Sequence, residues 1–305
     1  MAASSLLSIG SSGLQAFQRS LNTIGHNIAN VNTEGYSKQS VELSTRLPQR
    51  NGYGFAGSGV QTTSITRSFD AFVESSIRST TSSAREFETF QAMASQLDNI
   101  VADQDAGMAN SMQRFFDAVQ DVSDAPSVPA VREVLLKEAR NLSDQFNQLA
   151  SWMESVRGQV NSDIRGNVSE INRLSSAVAK LNESIVVEQG RSAGQPANDL
   201  LDQRDALIRD LSELVSVTTV QQDDGSLNVM VGTGQVLVVG NRASSLDVYV
   251  EASDPNQLGV GIRASGGTLV PVTEQLSGGK IGGLLSFRDR MLDPAANSLG
   301  LTAIG

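Results

Sequence analysis

Few side chains in this chain of 305 residues could do chemistry. It holds one histidine, His26, and no cysteine. That excludes disulfides, thiolate zinc sites, thiol nucleophiles and any centre needing two imidazoles. His26 would serve as a general base for a serine, but it stands beside Asn27 with no carboxylate adjacent in the sequence. A helix-surface or packing histidine is the simpler reading. Asp199, Asp202 and Asp205 fall on one stripe of a predicted helix, a pattern that would suit a cation. Arg204 and Arg209 lie among them, which favours solvated ion pairs or a domain contact. Gly54, Gly57 and Gly59 lack the spacing of a dinucleotide loop, and Gly279-Lys280-Ile281 lacks the hydroxyl residue of a phosphate loop. The glycosylation-type triplets beginning at Asn141, Asn167 and Asn182 fall on predicted helices and are set aside. No catalytic residue, cofactor or metal is expected, and the chain does not read as an enzyme.

Charge narrows the partners. Lys and Arg number 23 and Asp and Glu 33, a net charge of −10. Residues 1–80 carry six cations and four anions (net +2), and residues 81–305 carry 17 and 29 (net −12). An acidic body has no basic face to neutralise phosphates, so nucleic acid is not an expected partner. No run of about 18 apolar residues predicts a membrane span. The N-terminus lacks the basic start and apolar run of a cleaved signal peptide.

The unusual element is the beginning. Residues 4–33 read as one helix, and Leu14, Phe17, Leu21, Ile24, Ile28 and Val31 are spaced 3, 4, 3, 4, 3, with Leu7 one heptad earlier. That is the apolar seam of a coiled coil. Arg19 is the only charged residue between Met1 and Thr33, and small neutral residues fill the other faces. An isolated helix of this length is marginal in water, so the arm needs a partner helix from elsewhere in the chain or from another subunit. Asn30, Asn32, Thr33 and Gly35 mark its end, with Gly35 expected at positive φ.

The rest predicts a mainly α fold with an inserted small antiparallel β domain, an N-terminal coiled-coil arm and an elongated long-helix bundle. We divide it into an arm (1–35), an extended two-stranded excursion with a Gly-rich tip (36–67), a long-helix bundle (68–215), a small antiparallel β domain (216–278) and a final helical stretch (279–305). Helix is expected to resume near Ser68, to break over 103–110, and to restart after Pro126 with Ser127 as N-cap. A helix over 129–189 would be about 90 Å long, with Gly158 and Gly166 as the points where it would bend or break. From Val215 the period changes to 2, with turns at Asp223-Asp224-Gly225, Gly240-Asn241 and Gly266-Gly267.

The segment SGLQAFQRSLNTIGHNIANVNTEGYSKQ, from Ser12 to Gln39, resembles the N-terminal signature of the bacterial flagellar rod, hook and hook-associated axial proteins, with Asn27, Asn30, Asn32, Thr33, Gly35 and Tyr36 matching the family pattern. The run from Gly57 to Val60 with Ile65 and Arg67, NDLLDQRDALIRDLSELV from Asn198, and GGKIGGLLSFRD from Gly278 resemble its hook-filament junction members. The resemblance implies a structural adaptor that assembles with its own copies in a ring-like axial structure, with hook protein on one side and the next hook-associated protein on the other. It implies passage through the flagellar export apparatus and an extracellular location in the flagellum. It also implies a C-terminal helix that returns to pair with the arm. This sequence stops at Gly305, with residues 279–305 as the start of that return, so a C-terminally truncated chain is expected. The alternatives are another axial component, a hook or rod protein, and, remotely, an enzyme using His26.

Overall fold

A computed structural model describes residues 2–51, 54–101, 108–192, 194–252, 254–263 and 267–304. The chain opens with helix α1 (Ala2–Ala29), followed by strands β1 (Gln39–Thr45), β2 (Gln49–Asn51), β3 (Gly54–Ala56) and β4 (Val60–Arg67). Three helices follow, α2 (Ala71–Val101), α3 (Met108–Asp124) and α4 (Pro129–Arg191), then α5 (Asn198–Leu214). Strands β5 (Val217–Gln221), β6 (Leu227–Val231), β7 (Gln235–Val239), β8 (Arg242–Ala243), β9 (Ser245–Val250), β10 (Leu258–Arg263) and β11 (Leu269–Pro271) come next. Helix α6 (Gly279–Phe287), a π-helical turn (Arg288–Leu292) and α7 (Asp293–Ile304) end the described chain. The predicted break over 103–110 and the turn at Gly266 lie partly outside the described residues.

Helix α4 is the spine. Its 63 residues run without interruption through Gly158 and Gly166, so the expected break there does not occur. The reason is the buried stripe Met153, Val156, Val160, Ile164, Val168, Ile171, Leu174 and Val178, which recurs at three or four residues and packs on both sides of the two glycines. Both glycines are exposed, and a Cβ at either would meet nothing within 4 Å. Gly158→Ala and Gly166→Ala are therefore expected to stabilise the protein by about 1 kcal/mol each, read as a higher urea midpoint. The helix starts differently from expectation as well. Val128 rather than Ser127 is the N-cap, without a side-chain cap, and Pro129 opens the first turn. At α2 it is Asp70 that caps, its Oδ1 accepting from the amides of Phe72 (2.9 Å) and Val73 (3.2 Å), which moves the start from Ser68 to Ala71.

The β region forms two antiparallel sheets, β5-β6-β7-β8 and β11-β10-β9. Their inner residues, among them Val229, Leu237, Leu246 and Val260, belong to the same apolar cluster as α4, α5 and α6. The expected boundaries at 215/216 and 278/279 are thus changes of local structure crossed by one core. Residues 279–305, expected as the start of one returning helix, are α6, the π turn and α7, and α6 is buried against α2.

Three asparagines on α4 tie the sheets to the spine. Asn172 donates to the Leu246 carbonyl and accepts from the Leu246 amide, both at 2.8 Å. Asn182, fully buried, donates to the carbonyls of Leu227 (2.8 Å) and Gly240 (2.7 Å) and accepts from the Leu227 amide (3.1 Å). Asn161 donates to the Asn256 carbonyl at 2.8 Å and faces the Leu258 amide. Each carboxamide satisfies peptide groups that burial would otherwise leave costly.

Candidate assembly interface

Helix α1 lies on the β1–β4 hairpin by its small polar face. Ser12, Ala16 and Thr23 are buried, with Ser20 and Asn27 half-buried on the same stripe. The apolar seam points the other way. Leu7, Leu14, Phe17, Leu21, Ile24, Ile28 and Val31 are all exposed, from 51% for Ile24 to 79% for Leu7. This inverts the usual amphipathic arrangement, in which the apolar stripe faces the body. The helix also ends earlier than the predicted 33. Ala29 is its last residue, so Val31 sits in the following turn rather than on the helical seam. Asn30 causes the stop: its side chain donates to the His26 carbonyl (3.0 Å), and the Thr33 hydroxyl donates to Asn30 Oδ1 (3.2 Å).

The close contact between arm and hairpin is made by small groups. The Val60 amide donates to Ser12 Oγ at 3.2 Å. A Cβ at Gly59 would fall 2.2 Å from that oxygen. At the arm's exit Gly35 takes φ +78, and a Cβ there would press on Ala206 of α5 at 3.2 Å.

Asn27 fastens the exit. Its Nδ2 donates to the Gln39 carbonyl (2.9 Å), and its Oδ1 accepts from the Gln39 amide (2.9 Å) and the Tyr36 hydroxyl (2.7 Å). Tyr36 packs edge-on to His26, with ring centroids 5.5 Å apart. Burial, then the carboxylates of Asp199 and Asp202, push the Tyr36 hydroxyl above its ordinary pKa, so it remains a donor. Asn32 is exposed in the turn. Asn27→Ala is expected to lose about 1–3 kcal/mol of local stability, read as faster hydrogen exchange at the Gln39 amide.

The aspartate stripe of α5 receives this exit. Asp199 Oδ1 accepts from Gln39 Nε2 (2.7 Å) and faces His26 Nε2 (3.3 Å). Asp202 accepts from the Ser37 amide (2.8 Å) and from Arg67 Nη1 (2.7 Å), and Asp205 pairs with Arg67 Nη2 (2.6 Å). Of the two expected readings, solvated ion pairs or a domain contact, Asp202 and Asp205 follow the second. Asp202 and Asp205 are buried, and their partner is Arg67, more than 130 residues away in sequence. Arg204 turns instead to Asn182 Oδ1 (3.1 Å) and the Gly225 carbonyl (2.9 Å). Among the described residues no cluster of three or more His, Asp or Glu side chains could hold a metal ion. His26 does have a carboxylate beside it, brought by the fold rather than the sequence. Its other ring nitrogen faces Asn30 Nδ2 at 3.4 Å.

Sequence reasoning missed Gln39 and Arg67 as anchors. The available signal was an isolated arginine closing a predicted strand, together with aspartates at i, i+3 and i+6 of a helix.

The helical body matches a family model described as the flagellar hook-associated protein FlgK helical domain, over residues 94–305. The chain belongs to the FlgK family. A second model, described as flagella basal body rod protein, matches residues 7–36, the arm and its exit. Flagellar hook-associated protein 1 of Salmonella typhimurium strain LT2 is 34% identical over 303 residues, covering 99% of this chain and 55% of that protein. The protein of the same name from Escherichia coli K12 is 31% identical over 302 residues, with 99% and 55% covered. This FlgK-family chain thus spans about half the length of the curated relatives it matches. The solved flagellar hook junction protein FlgK from Burkholderia pseudomallei superposes with a TM-score of 0.69 at 31% identity, covering 74% of this chain and 41% of that one. Among the described residues no helix is long and apolar enough to cross a membrane.

Proposed function

We propose that the chain is a structural adaptor of the bacterial flagellum that joins hook to filament and assembles through α1. The observation that carries this is the outward seam from Leu7 to Ile28, with Val31 just beyond it. A row of large apolar side chains left in water while the polar face of the same helix is packed is a surface built for other helices. The partners are copies of the chain in a ring-like axial assembly, hook protein on one side and the next hook-associated protein on the other. The chain reaches the extracellular flagellum through the flagellar export apparatus. Its role is structural rather than catalytic, and the motif residues Asn27, Asn30, Thr33, Gly35 and Tyr36 set the angle at which the arm leaves the body.

Antibody labelling of isolated flagella tests this reading. Label confined to the hook-filament junction is expected. Label along the hook or within the rod would assign the chain to another axial component, a reading that the FlgK helical-domain match disfavours.

A further inference from the structure

A cleft of about 620 Å³ opens between the hairpin end, the first turns of α2, the start of α5 and strand β5. It is distinct from the seam of α1, which lies on the far side of the hairpin's helix contact. Its walls hold three arginines, Arg67, Arg78 and Arg204. Arg67 is spoken for by Asp202 and Asp205. The other two pair with no carboxylate, although Nη1 of Arg204 is held by Asn182 Oδ1 and the Gly225 carbonyl. Arg204 is 3% exposed and Arg78 is 8% exposed, and the Nε of each finds no acceptor among the described residues. Arg78 makes one side-chain hydrogen bond, from Nη2 to Thr219 Oγ1 at 3.2 Å. Burial lowers both guanidinium groups from the ordinary arginine pKa, with Asp205, and for Arg78 also Glu74, acting the other way.

The carboxylates nearby are engaged by other arginines. Asp202 and Asp205 pair with Arg67, and Glu74 lies 3.7 Å from Arg209, which is part-exposed, stands off the cleft wall and also faces Asp210. Neither Arg78 nor Arg204 has a carboxylate within ion-pair distance among the described residues, a costly arrangement for a buried cation without an anion. One acceptor is also unmet: Asn198, 7% exposed and on the cleft wall, has its Oδ1 buried without a donor.

We infer that this cleft binds a single oxyanion, a carboxylate or a phosphate, held by Arg78 and Arg204, whose carrier also supplies one hydrogen-bond donor to Asn198. An acidic peptide segment satisfies this with a side-chain carboxylate and a backbone N–H. Hydrogen phosphate satisfies it with its charged oxygens and its O–H. Guanidinium forks match either group in two-pronged fashion.

The test measures melting of the whole chain with sodium phosphate or with N-acetylglutamate amide, each against sodium chloride at equal ionic strength. A saturable rise of about 3–6 °C at saturating probe is expected. A response to phosphate alone identifies a free or esterified phosphate as the ligand, and a response to the glutamate probe identifies an acidic side chain. Arg78→Gln is expected to abolish the shift. Because that variant removes a buried group, Ser75→Glu supplies a check that does not weaken the fold. Ser75 is exposed on the cleft wall, three residues before Arg78 on α2. A glutamate there delivers the missing carboxylate from within, so this variant is expected to melt higher than the parent and to ignore both probes. Absence of any probe shift in the parent chain overturns the inference. So does a Ser75→Glu chain that melts no higher and still responds.

Discussion

Arg67→Met is expected to destabilise the docking of the hairpin by about 3–5 kcal/mol, the cost of leaving buried carboxylates without their counter-ion. Arg67 is the only guanidinium within ion-pair distance of Asp202 and Asp205 among the described residues, and all three side chains are buried. Its ring contact adds to this, the guanidinium carbon lying 4.2 Å from the centre of Phe69. The damage is local by construction. Strands β1 and β4 reach the body through Arg67, through Gln39 Nε2, which donates to Asp199 Oδ1 at 2.7 Å, and through the carbonyls of Thr63 and Ile65, which accept from Gln195 Nε2 (3.1 Å) and Asn198 Nδ2 (2.7 Å). The α4 core does not depend on them. Hydrogen exchange is therefore expected to speed up in α1, β1 and β4 while α4 and α5 keep their protection. The triple variant Arg67→Met, Asp202→Asn, Asp205→Asn is expected to recover a large part of the loss, because it removes the stranded charges together with their partner. A single variant that docks as well as the parent would show that the ion pairs contribute nothing.

Leu21→Asp and Ile28→Asp are expected to leave the monomer's melting temperature nearly unchanged and to stop assembly. Both side chains are exposed on α1, and surface substitutions away from packed features stay within about 0.5 kcal/mol. In an assembled tube of helices the same positions would be desolvated. A carboxylate without a partner there costs several kcal/mol, and the penalty recurs at every subunit. Melting of the purified chain and incorporation into flagella on complementation read the two halves separately. A large fall in melting temperature in either variant would show that the seam already serves the folded monomer.

The seam was legible in the sequence because its 3-4 spacing is a local property of one helix, needing no knowledge of what lies opposite. The same is true of the long helix expected over 129–189 and of the change to period 2 at Val215, two residues before β5 begins. What failed were features decided by a few atoms. The arm stops at Ala29 because the Asn30 side chain competes for backbone groups, and no periodicity reports that. Val128 replaces Ser127 as a cap because Pro129 already occupies the first turn. The Arg67 cluster was illegible for a different reason. Its members are separated by 135 and 138 positions, and only the docked hairpin makes them neighbours. The three asparagines of α4 were hidden in the same way, one of them inside a triplet that resembled a glycosylation site.

Helix α4 carries a mechanical consequence. Its first 17 residues, Pro129 to Gln145, lie ahead of the segment that packs on α7 and the main apolar cluster, and have α3 alongside them. At 1.5 Å per residue this is a free arm of about 26 Å, rooted in the same apolar mass that holds the sheets. Such a beam is stiff along its axis and compliant sideways, with a deflection that grows as the cube of its overhang. Pairing with α3 thickens the beam, so a sideways load at the tip is delivered to the root as torque on the sheets, through the amide clamps at Asn161, Asn172 and Asn182.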